Sequence, residues 1–412
     1  MKKSVQQYLQ RYAASETQLL QDWPASFQRA MLIPAKDEPS SLIENCQRFC
    51  TAQGNTLLVL VVNQGDSQDD RSQNKALWDK AKKSGKECWQ KNHLHLLQWP
   101  NHSALLLIDR FSQGLAIPHK EGVGLARKIA ADIIAHLIAA GKINSPWIYS
   151  SDADCAWPCN YFDSSELEGA GHGQSNVVAA HFAFEHSPCD DKSLDKQTRQ
   201  AITEGTKLYE KGLHYYQQGL AWAGSPYAFY TIGSCLAFHY QAYCEVRGFP
   251  PRAAGEDFYL LNKLAKQGNV AFLGQQIIHI DSRLSQRAPF GTGPAVSEII
   301  EKKLLICNYA SYHPMCFYTL KDLLQDPLKI LSTDLDPKIK SALENQGLQK
   351  FLRHLKQQNV KADKLISEFH NWFDAFHSLK FIHYLRDHHY PSIPLQEGLA
   401  QLERWQASVN EK

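Results

Sequence analysis

The feature that most restricts the fold of this chain is an alternation of short apolar runs with amphipathic stretches, which begins near Ala30 and continues to about residue 280. Short apolar runs are typical of strands buried on both faces, whereas apolar residues at three- and four-residue steps are typical of helices. The clearest helical pattern covers Gly124 to Ala140. Strand-helix-strand alternation predicts an α/β fold, in which helices cover both faces of a mostly parallel sheet.

The alternation also predicts how the chain is organised. The predicted strands cover 31–35, 56–62, 94–98, 104–109, 147–150, 176–184, 229–239 and 270–273 with 277–280. The predicted helices cover 40–52, 72–83, 124–140, 194–220, 241–246 and 256–267. We therefore expect a helical lead over residues 1–29, an α/β domain over 30–293 and a helical C-terminal extension over 294–412.

Composition excludes several classes of protein. The formal charge of +2 argues against a nucleic-acid partner bound through a basic surface. With 43% hydrophobic and 21% charged residues the chain can bury a core, yet no apolar run approaches the roughly 20 residues of a membrane span. The first residues lack the apolar core of a signal peptide, and ten cysteines are thinly spread over 412 residues. The sequence therefore predicts a cytoplasmic protein without an integral membrane span.

Polar residues follow four predicted strands at their carboxyl ends, where doubly wound sheets bind ligands. These places are Lys36-Asp37-Glu38, Asn63 to Asp66, Asp152-Ala153-Asp154, and His279 with Asp281. Each place alone also fits a helix cap or a turn. Their joint occurrence at strand ends favours a functional site.

Asp152 and Asp154 form the most informative of these motifs. Two carboxylates at i and i+2 after a buried strand can approach one hard cation, which also accepts phosphate oxygens and waters as ligands. We expect Mg²⁺ or Mn²⁺ to bind here and to neutralise a diphosphate. The alternative is that the pair only caps the next element.

Four ordered segments carry a resemblance to a known family: Ile33-Pro34-Ala35-Lys36-Asp37-Glu38, Gly122-Val123-Gly124-Leu125-Ala126-Arg127, Asp152-Ala153-Asp154 and Gly255-Glu256-Asp257. With these segments the chain resembles glycosyltransferases of the GT-A fold, and family 2 in particular, over roughly residues 30–293. The resemblance implies a Rossmann-like GT-A domain and a nucleotide-diphosphate sugar as donor.

The resemblance also implies roles for individual residues. The expected donor-binding residues are Pro34, Ala35, Glu38, Asp66, Lys120, Gly122, Arg127, Asp152 and Arg287. The expected metal ligands are Asp152, Asp154 and His279. Asp257 is expected to deprotonate the acceptor, and Glu256 to hold an acceptor hydroxyl. Both acidic residues also suit the first turn of a helix, whose dipole favours negative charge, and that simpler explanation stays open.

The chain departs from the family pattern at two places. Asn63-Gln64-Gly65-Asp66 stands where family members commonly have D-D-G-S, so Asp66 is a displaced candidate for base recognition. The Q-x-x-R-W motif and the membrane helices of processive enzymes are not found, which favours a non-processive enzyme. The glycine-containing loop from Phe290 to Gly293 resembles a lid over the donor, although a plain connection would look similar.

The sequence thus predicts a metal-dependent, inverting glycosyltransferase that moves a sugar to a hydroxyl of a small-molecule or saccharide acceptor. One alternative is a sugar-phosphate nucleotidyltransferase, although the first loop lacks the G-x-G-T-R-type stretch of such enzymes. Another alternative is a non-catalytic nucleotide-sugar-binding protein. The donor sugar, the base, the acceptor and a homo-oligomeric state stay open, and so does a retaining outcome if His279 binds the metal and Asp257 does not face the acceptor.

Overall fold

The order of elements in the structure is that of an α/β protein with added helices. The computed structural model describes residues 2–163, 165–168, 176–285 and 291–410. Its strands are β1 (Arg29–Ala35), β2 (Thr56–Asn63), β3 (Lys86–Lys91), β4 (Leu94–Gln98), β5 (Ala104–Arg110), β6 (Trp147–Ser150), β7 (Cys155–Ala156), β8 (Val177–Ser187), β9 (Leu236–His239), β10 (Asn269–Asp281), β11 (Ala310–Ser311) and β12 (Ile393–Pro394). Its helices are α1 (Lys3–Arg11), α2 (Leu42–Gln53), α3 (Ser72–Lys82), α4 (Gly122–Ala139), α5 (Ser165–Glu168), α6 (Lys196–Trp222), α7 (Tyr240–Glu245), α8 (Glu256–Leu264), α9 (Thr292–Glu301), α10 (Pro314–Gln325), α11 (Pro337–Asn345), α12 (Leu348–Gln357), α13 (Leu365–Trp372), α14 (Ala375–His388) and α15 (Leu395–Asn410).

The chain divides into two units. The first comprises Met1–Ser187 and Thr231–Asp281, and it holds every strand from β1 to β10. The second comprises Pro188–Tyr230 and Ser282–Lys412, and it holds α6 together with the helices from α9 onwards. Within the described ranges, no helix combines the length and the apolar character needed to cross a bilayer.

The first unit is built on a mixed sheet. Among the described residues its ten strands have the order β3-β4-β5-β2-β1-β6-β9-β8-β10-β7. Four neighbouring pairs are parallel and five are antiparallel. The expected α/β class is thus present, but the sheet is not mostly parallel, because the β3-β4 hairpin and the reversed β9 add antiparallel pairs to the parallel centre β5-β2-β1-β6.

The parallel centre brings the carboxyl ends of several strands to one edge. Strands β1 and β2 are almost completely buried, as their apolar sequences require. Leu32 of β1 lies opposite Ser150 of β6, and the Ser151 N–H donates to the Leu32 carbonyl across 3.0 Å. The segments that follow β1 and β6 therefore leave the sheet at the same edge, although β1 continues to Ala35 and β6 ends opposite Leu32.

The second unit packs its helices along α6. This helix is capped by Asp195, whose side chain accepts a hydrogen bond from the Thr198 N–H across 3.0 Å. Glycines at positions 205, 212 and 219 recur every seven residues, so they lie on one face of α6. A Cβ at Gly219 would lie only 2.6 Å from atoms of the Phe317 ring on α10, which explains why the closest approach uses a residue without a side chain.

We expect Gly219→Ala to destabilise the second unit. Alanine favours a helix over glycine by about 1 kcal/mol, but overpacking against a buried ring costs roughly 1–3 kcal/mol. The net loss should lower the midpoint of urea unfolding followed by tryptophan fluorescence. Gln218→Ala, an exposed change on the same helix, is the control and should alter stability by about 0.5 kcal/mol or less. Equal stability of the two variants would contradict the close packing at Gly219.

Candidate active site

A buried arginine lies at the centre of the candidate site. Arg127, in the second turn of α4, is 3% exposed. Its Nε donates to Glu256 Oε1 across 2.8 Å, and its Nη2 donates to Asp152 Oδ1 across 2.6 Å. One guanidinium thus joins the start of α8 to the segment that follows β6.

Further bonds hold the guanidinium in place. Arg127 Nη1 donates to the hydroxyl of Ser150 across 2.9 Å and to the carbonyl of Ser151 across 3.1 Å. The Ser150 hydroxyl in turn donates to the carbonyl of Gly233 across 2.8 Å. Any side chain at Gly233 would collide with the guanidinium, because a Cβ there would lie 2.7 Å from its Cζ. The guanidinium is therefore held by α8, by the end of β6 with the segment that follows it, and by close packing against Gly233.

The N-terminus of α4 needs two glycines to approach the loop that precedes α8. The Gly124 N–H donates to the carbonyl of Arg252 across 2.9 Å, and a Cβ at Gly124 would lie 2.5 Å from the Pro250 carbonyl oxygen. Gly122 has a φ of +40° and would bring a Cβ to 2.7 Å from the Cα of Ala253. Backbone therefore packs on backbone here, and this contact sets Arg127 opposite Glu256.

Several carboxylates share this one cation. Burial raises the pKa of Asp152, Arg127 opposes the rise, and the charges of Glu256 and Glu38 add to it. Burial alone would lower the pKa of Arg127, but Asp152 and Glu256 outweigh it and raise that pKa. The site therefore holds more negative charge than its arginine neutralises.

Asp257 shows the combined effect of burial and of that excess charge. It lies in the first turn of α8, partly exposed, and its Oδ1 accepts a hydrogen bond from the Phe258 N–H across 2.7 Å. Burial first, and then the charge of Glu256, raises the pKa of Asp257 from its ordinary 3.8 to about 7. Near neutral pH this carboxyl group can therefore accept or release a proton, which is what general acid-base chemistry requires.

The D-x-D segment lies against the last strand of the sheet. Ile280 of β10 pairs with Cys155, and His279 pairs with Ala156. The Asp281 N–H donates to the carbonyl of Asp154 across 2.9 Å, so the strand that carries His279 is bonded to the motif. In the part of the chain that the structure describes, no group of three or more His, Cys, Asp and Glu side chains is arranged to hold a metal ion.

The other residues expected to bind the donor are placed differently. Pro34 and Ala35 are buried at the end of β1, and Glu38 is buried just beyond it. Asp66 and Lys120 are exposed, and Asp66 accepts a hydrogen bond from the His119 N–H across 3.1 Å. Arg287 and Phe290 lie outside the described residues, whereas Gly291 directly precedes α9 and Thr292 and Gly293 are its first two residues.

A buried amide network shapes the loops after β1 and β2, and the sequence did not predict it. Asn63 Nδ2 donates to the Ala35 carbonyl across 3.0 Å, and Asn74 Oδ1 accepts from the Asp37 N–H across 2.9 Å. Asn74 also donates to Gln64 Oε1 across 3.0 Å. Asn63 and Gln64 are adjacent amides at the end of an apolar run, and that placement is the sequence signal that could have indicated the network.

Comparison with known proteins finds distant structural likeness only. The chain is similar to the structure of the mannosyltransferase PcManGT from Pyrobaculum calidifontis in complex with GDP-Man and Mn²⁺. The two sequences are 12% identical, the match covers 92% of this chain and 93% of that chain, and the TM-score is 0.33. The chain is also similar to a mycobacterial protein, with 11% identity, 70% and 76% covered, and a TM-score of 0.30. No protein-family profile and no curated protein matches the sequence. At TM-scores this low, function has to be inferred from the site itself.

We expect Asp257→Asn to stabilise the protein at about pH 8 and to have little effect at about pH 4. A folded-state pKa of about 7 against 3.8 means that the folded state holds a proton which the unfolded state has released, so stability falls as pH rises through that window. One pKa unit corresponds to about 1.4 kcal/mol, so the gain at high pH is at most about 4 kcal/mol. Urea unfolding at both pH values measures it.

The matched control is Asp190→Asn, at an exposed aspartate of the second unit. This control should leave the difference in stability between the two pH values unchanged. If Asp257→Asn has no more effect on that difference than Asp190→Asn has, Asp257 does not carry a raised pKa.

Proposed function

We propose that this chain is a glycosyltransferase that moves a sugar from a nucleotide-diphosphate sugar to a hydroxyl acceptor, with Asp257 as the general base. The observation that carries the proposal is the buried Arg127, which ties Asp152 to Glu256 and so brings the two acidic motifs into one site. A metal ion that holds the donor phosphates and a base that deprotonates the acceptor hydroxyl need different acidic groups. Asp152 is proposed for the first task and Asp257 for the second.

Asp257 suits the acceptor side of the reaction. A base works best when its pKa lies near the working pH, and a pKa of about 7 meets that condition. In the proposed step the Asp257 carboxylate takes the hydroxyl proton while the acceptor oxygen forms a bond to the anomeric carbon. The bond from that carbon to the diphosphate oxygen breaks, and the nucleoside diphosphate leaves. A single displacement of this kind inverts the configuration.

Glu256 and Arg127 are proposed to position these groups. Glu256 is buried and paired with Arg127, which makes it an anchor for the residue that follows it. Arg127 already makes four hydrogen bonds inside the protein, so we propose that it orients Asp152 and does not bind the donor phosphates directly. Lys120, which is exposed, and Arg287 remain the proposed phosphate-binding cations.

The acidic segment after β6 fits a divalent metal. Arg127 holds Asp152 through Oδ1, and the Asp152 side chain is still 32% exposed. Mg²⁺ usually takes one or two carboxylates and completes its shell with phosphate oxygens and waters, so Asp152 and Asp154 are the two proposed carboxylate ligands. When bound, Mg²⁺ or Mn²⁺ would offset the charge on the leaving diphosphate. His279, on the strand bonded to Asp154, is the proposed third ligand.

The first test is donor binding. We expect a nucleotide-diphosphate sugar to raise the melting temperature only with Mn²⁺ or Mg²⁺, because the acidic site repels an anion that carries no cation. A ligand at about 100 times its Kd stabilises a protein by roughly 2.7 kcal/mol, which a thermal-shift screen of donors detects. Asp154→Asn should abolish the shift and Asp190→Asn should preserve it. Metal-independent binding that survives Asp154→Asn would instead favour a non-catalytic binding protein.

The second test is transfer itself. With a donor chosen by binding, we expect Asp257→Asn to lower kcat by about 10²–10⁴, the usual contribution of a general base, and to leave the donor Kd nearly unchanged. Wild-type activity should rise with pH through about 7 as Asp257 loses its proton. NMR of the product should show an inverted anomeric carbon. A retained configuration would exclude Asp257 as the base in this mechanism.

A further inference from the structure

A second buried charge lies on the helix that carries Arg127. Asp132 of α4 is completely inaccessible to solvent. Its Oδ1 accepts hydrogen bonds from the hydroxyls of Tyr8 and Tyr243, across 2.6 and 2.8 Å. Its Oδ2 accepts bonds from the Ala14 N–H across 2.7 Å and from Lys128 Nζ across 2.8 Å. This carboxylate therefore has four donors, as a buried charge requires.

The four donors come from different parts of the first unit. Tyr8 lies on α1, Ala14 follows α1, Lys128 precedes Asp132 by one turn of α4, and Tyr243 lies on α7. Lys128 Nζ also donates to the Tyr8 hydroxyl across 2.7 Å. Asp132 is thus the point at which the N-terminal segment, α4 and α7 are joined through polar bonds.

The loop that follows α7 joins Tyr243 to the proposed base, Asp257, at the start of α8. The Gly248 N–H donates to the carbonyl of Tyr243 across 2.8 Å, and a Cβ at Gly248 would lie 2.7 Å from the Tyr243 hydroxyl oxygen. Gly248 has a φ of +65°, which favours glycine. The chain then continues through Arg252, whose carbonyl accepts from the Gly124 N–H, to Glu256 and Asp257. One end of this loop is fixed at Asp132 and the other at Arg127.

We propose that Asp132 is a positioning residue for the site. The segment from Lys3 to Ala14 contributes to this positioning, because Tyr8 and the Ala14 N–H donate to Asp132. Asp132 holds α7 against α4, and the loop between α7 and α8 then sets Asp257 relative to Arg127. The part of this inference that concerns catalysis rests on the proposed function, whereas the part that concerns the position of the loop does not.

Two variants test the inference. Asp132→Asn removes the charge and replaces one acceptor oxygen by an amide NH₂ group, so either the Tyr8 hydroxyl or the Ala14 N–H loses its acceptor and the N-terminal segment should detach. Tyr243→Phe removes one hydroxyl and keeps the buried ion pair with Lys128, so it provides the test if Asp132→Asn does not fold. Tyr215→Phe is the matched control, because it removes a buried hydroxyl that donates to the Tyr312 carbonyl in the second unit.

Hydrogen-deuterium exchange provides the readout that does not depend on activity. We expect Tyr243→Phe to raise amide exchange in residues 246–258 and 122–128 by about tenfold, which corresponds to a local opening that is easier by a factor of ten. Tyr215→Phe should leave both segments unchanged. If Asp132 only tethers the N-terminus, exchange rises in residues 3–14 alone, and that result for Tyr243→Phe would overturn the inference.

Steady-state kinetics provide the second readout. We expect Tyr243→Phe to lower kcat about tenfold with little change in the donor KM, because misplacing a catalytic group by about 1 Å can cost roughly 100-fold. An unchanged kcat with unchanged exchange in residues 246–258 would also overturn the inference. If wild-type protein transfers no sugar, the proposed function fails, and the exchange experiment still decides whether Asp132 positions the loop.

Discussion

A buried guanidinium restricts the rest of a fold more than most groups do, because its positive charge has to be balanced inside the protein. Arginine cannot lose its proton in a protein, so at Arg127 the chain has to supply counter-charges in the interior. Asp152 and Glu256 supply them, and they lie 25 and 129 residues further along the chain. The end of β6, the second turn of α4 and the start of α8 must therefore meet at one point. The acidic site is a consequence of that meeting.

The buried guanidinium also needs space inside the protein, which explains why small residues surround it. Gly233 leaves room for its flat face, and Ser150 is short enough to bond both Arg127 and the Gly233 carbonyl. Gly124 lets α4 contact the backbone of the loop before α8. Helix α4 also carries the opposite charge at Asp132, further along the helix and bonded to other segments. Two buried charges on one helix thus fix it at two points, which restricts both its sliding and its rotation.

Local patterns in the sequence predicted much of this fold, whereas long-range pairing was beyond them. The predicted bounds of β4 and β6 agree with the structure, because each of these strands buries most of its residues in an otherwise polar stretch of sequence. The edge strand β3 (Lys86–Lys91) was missed, since its residues are mostly exposed and carry no such signal. The antiparallel direction of β9 depends on topology and not on composition.

In the candidate site, too, sequence patterns predicted individual residues but not the long-range contacts between them. The sequence singled out Arg127, Asp152, Glu256 and Asp257 from three separate short motifs, and in the structure these motifs meet at Arg127. The partner that the sequence assigned to Arg127 was a donor phosphate, whereas the structure shows it bonded to two carboxylates, a serine hydroxyl and a backbone carbonyl. No spacing rule links positions 127 and 256. Asp132 was not singled out at all, because an acidic residue inside an amphipathic helix is ordinarily a solvated one.

Glu256 and Asp257 show how adjacent carboxylates can take different tasks. A helix turns by about 100° per residue, so neighbouring side chains in the first turn of α8 face different surroundings. Glu256 faces Arg127 and is buried in an ion pair, whereas Asp257 is partly exposed and bonds only its neighbouring N–H among the contacts described. The charge on Glu256 is one cause of the raised pKa of Asp257. In the proposed reaction Arg127 therefore has two opposite effects on the base: it fixes Glu256, whose charge helps to raise the pKa of Asp257, and its own charge opposes that rise.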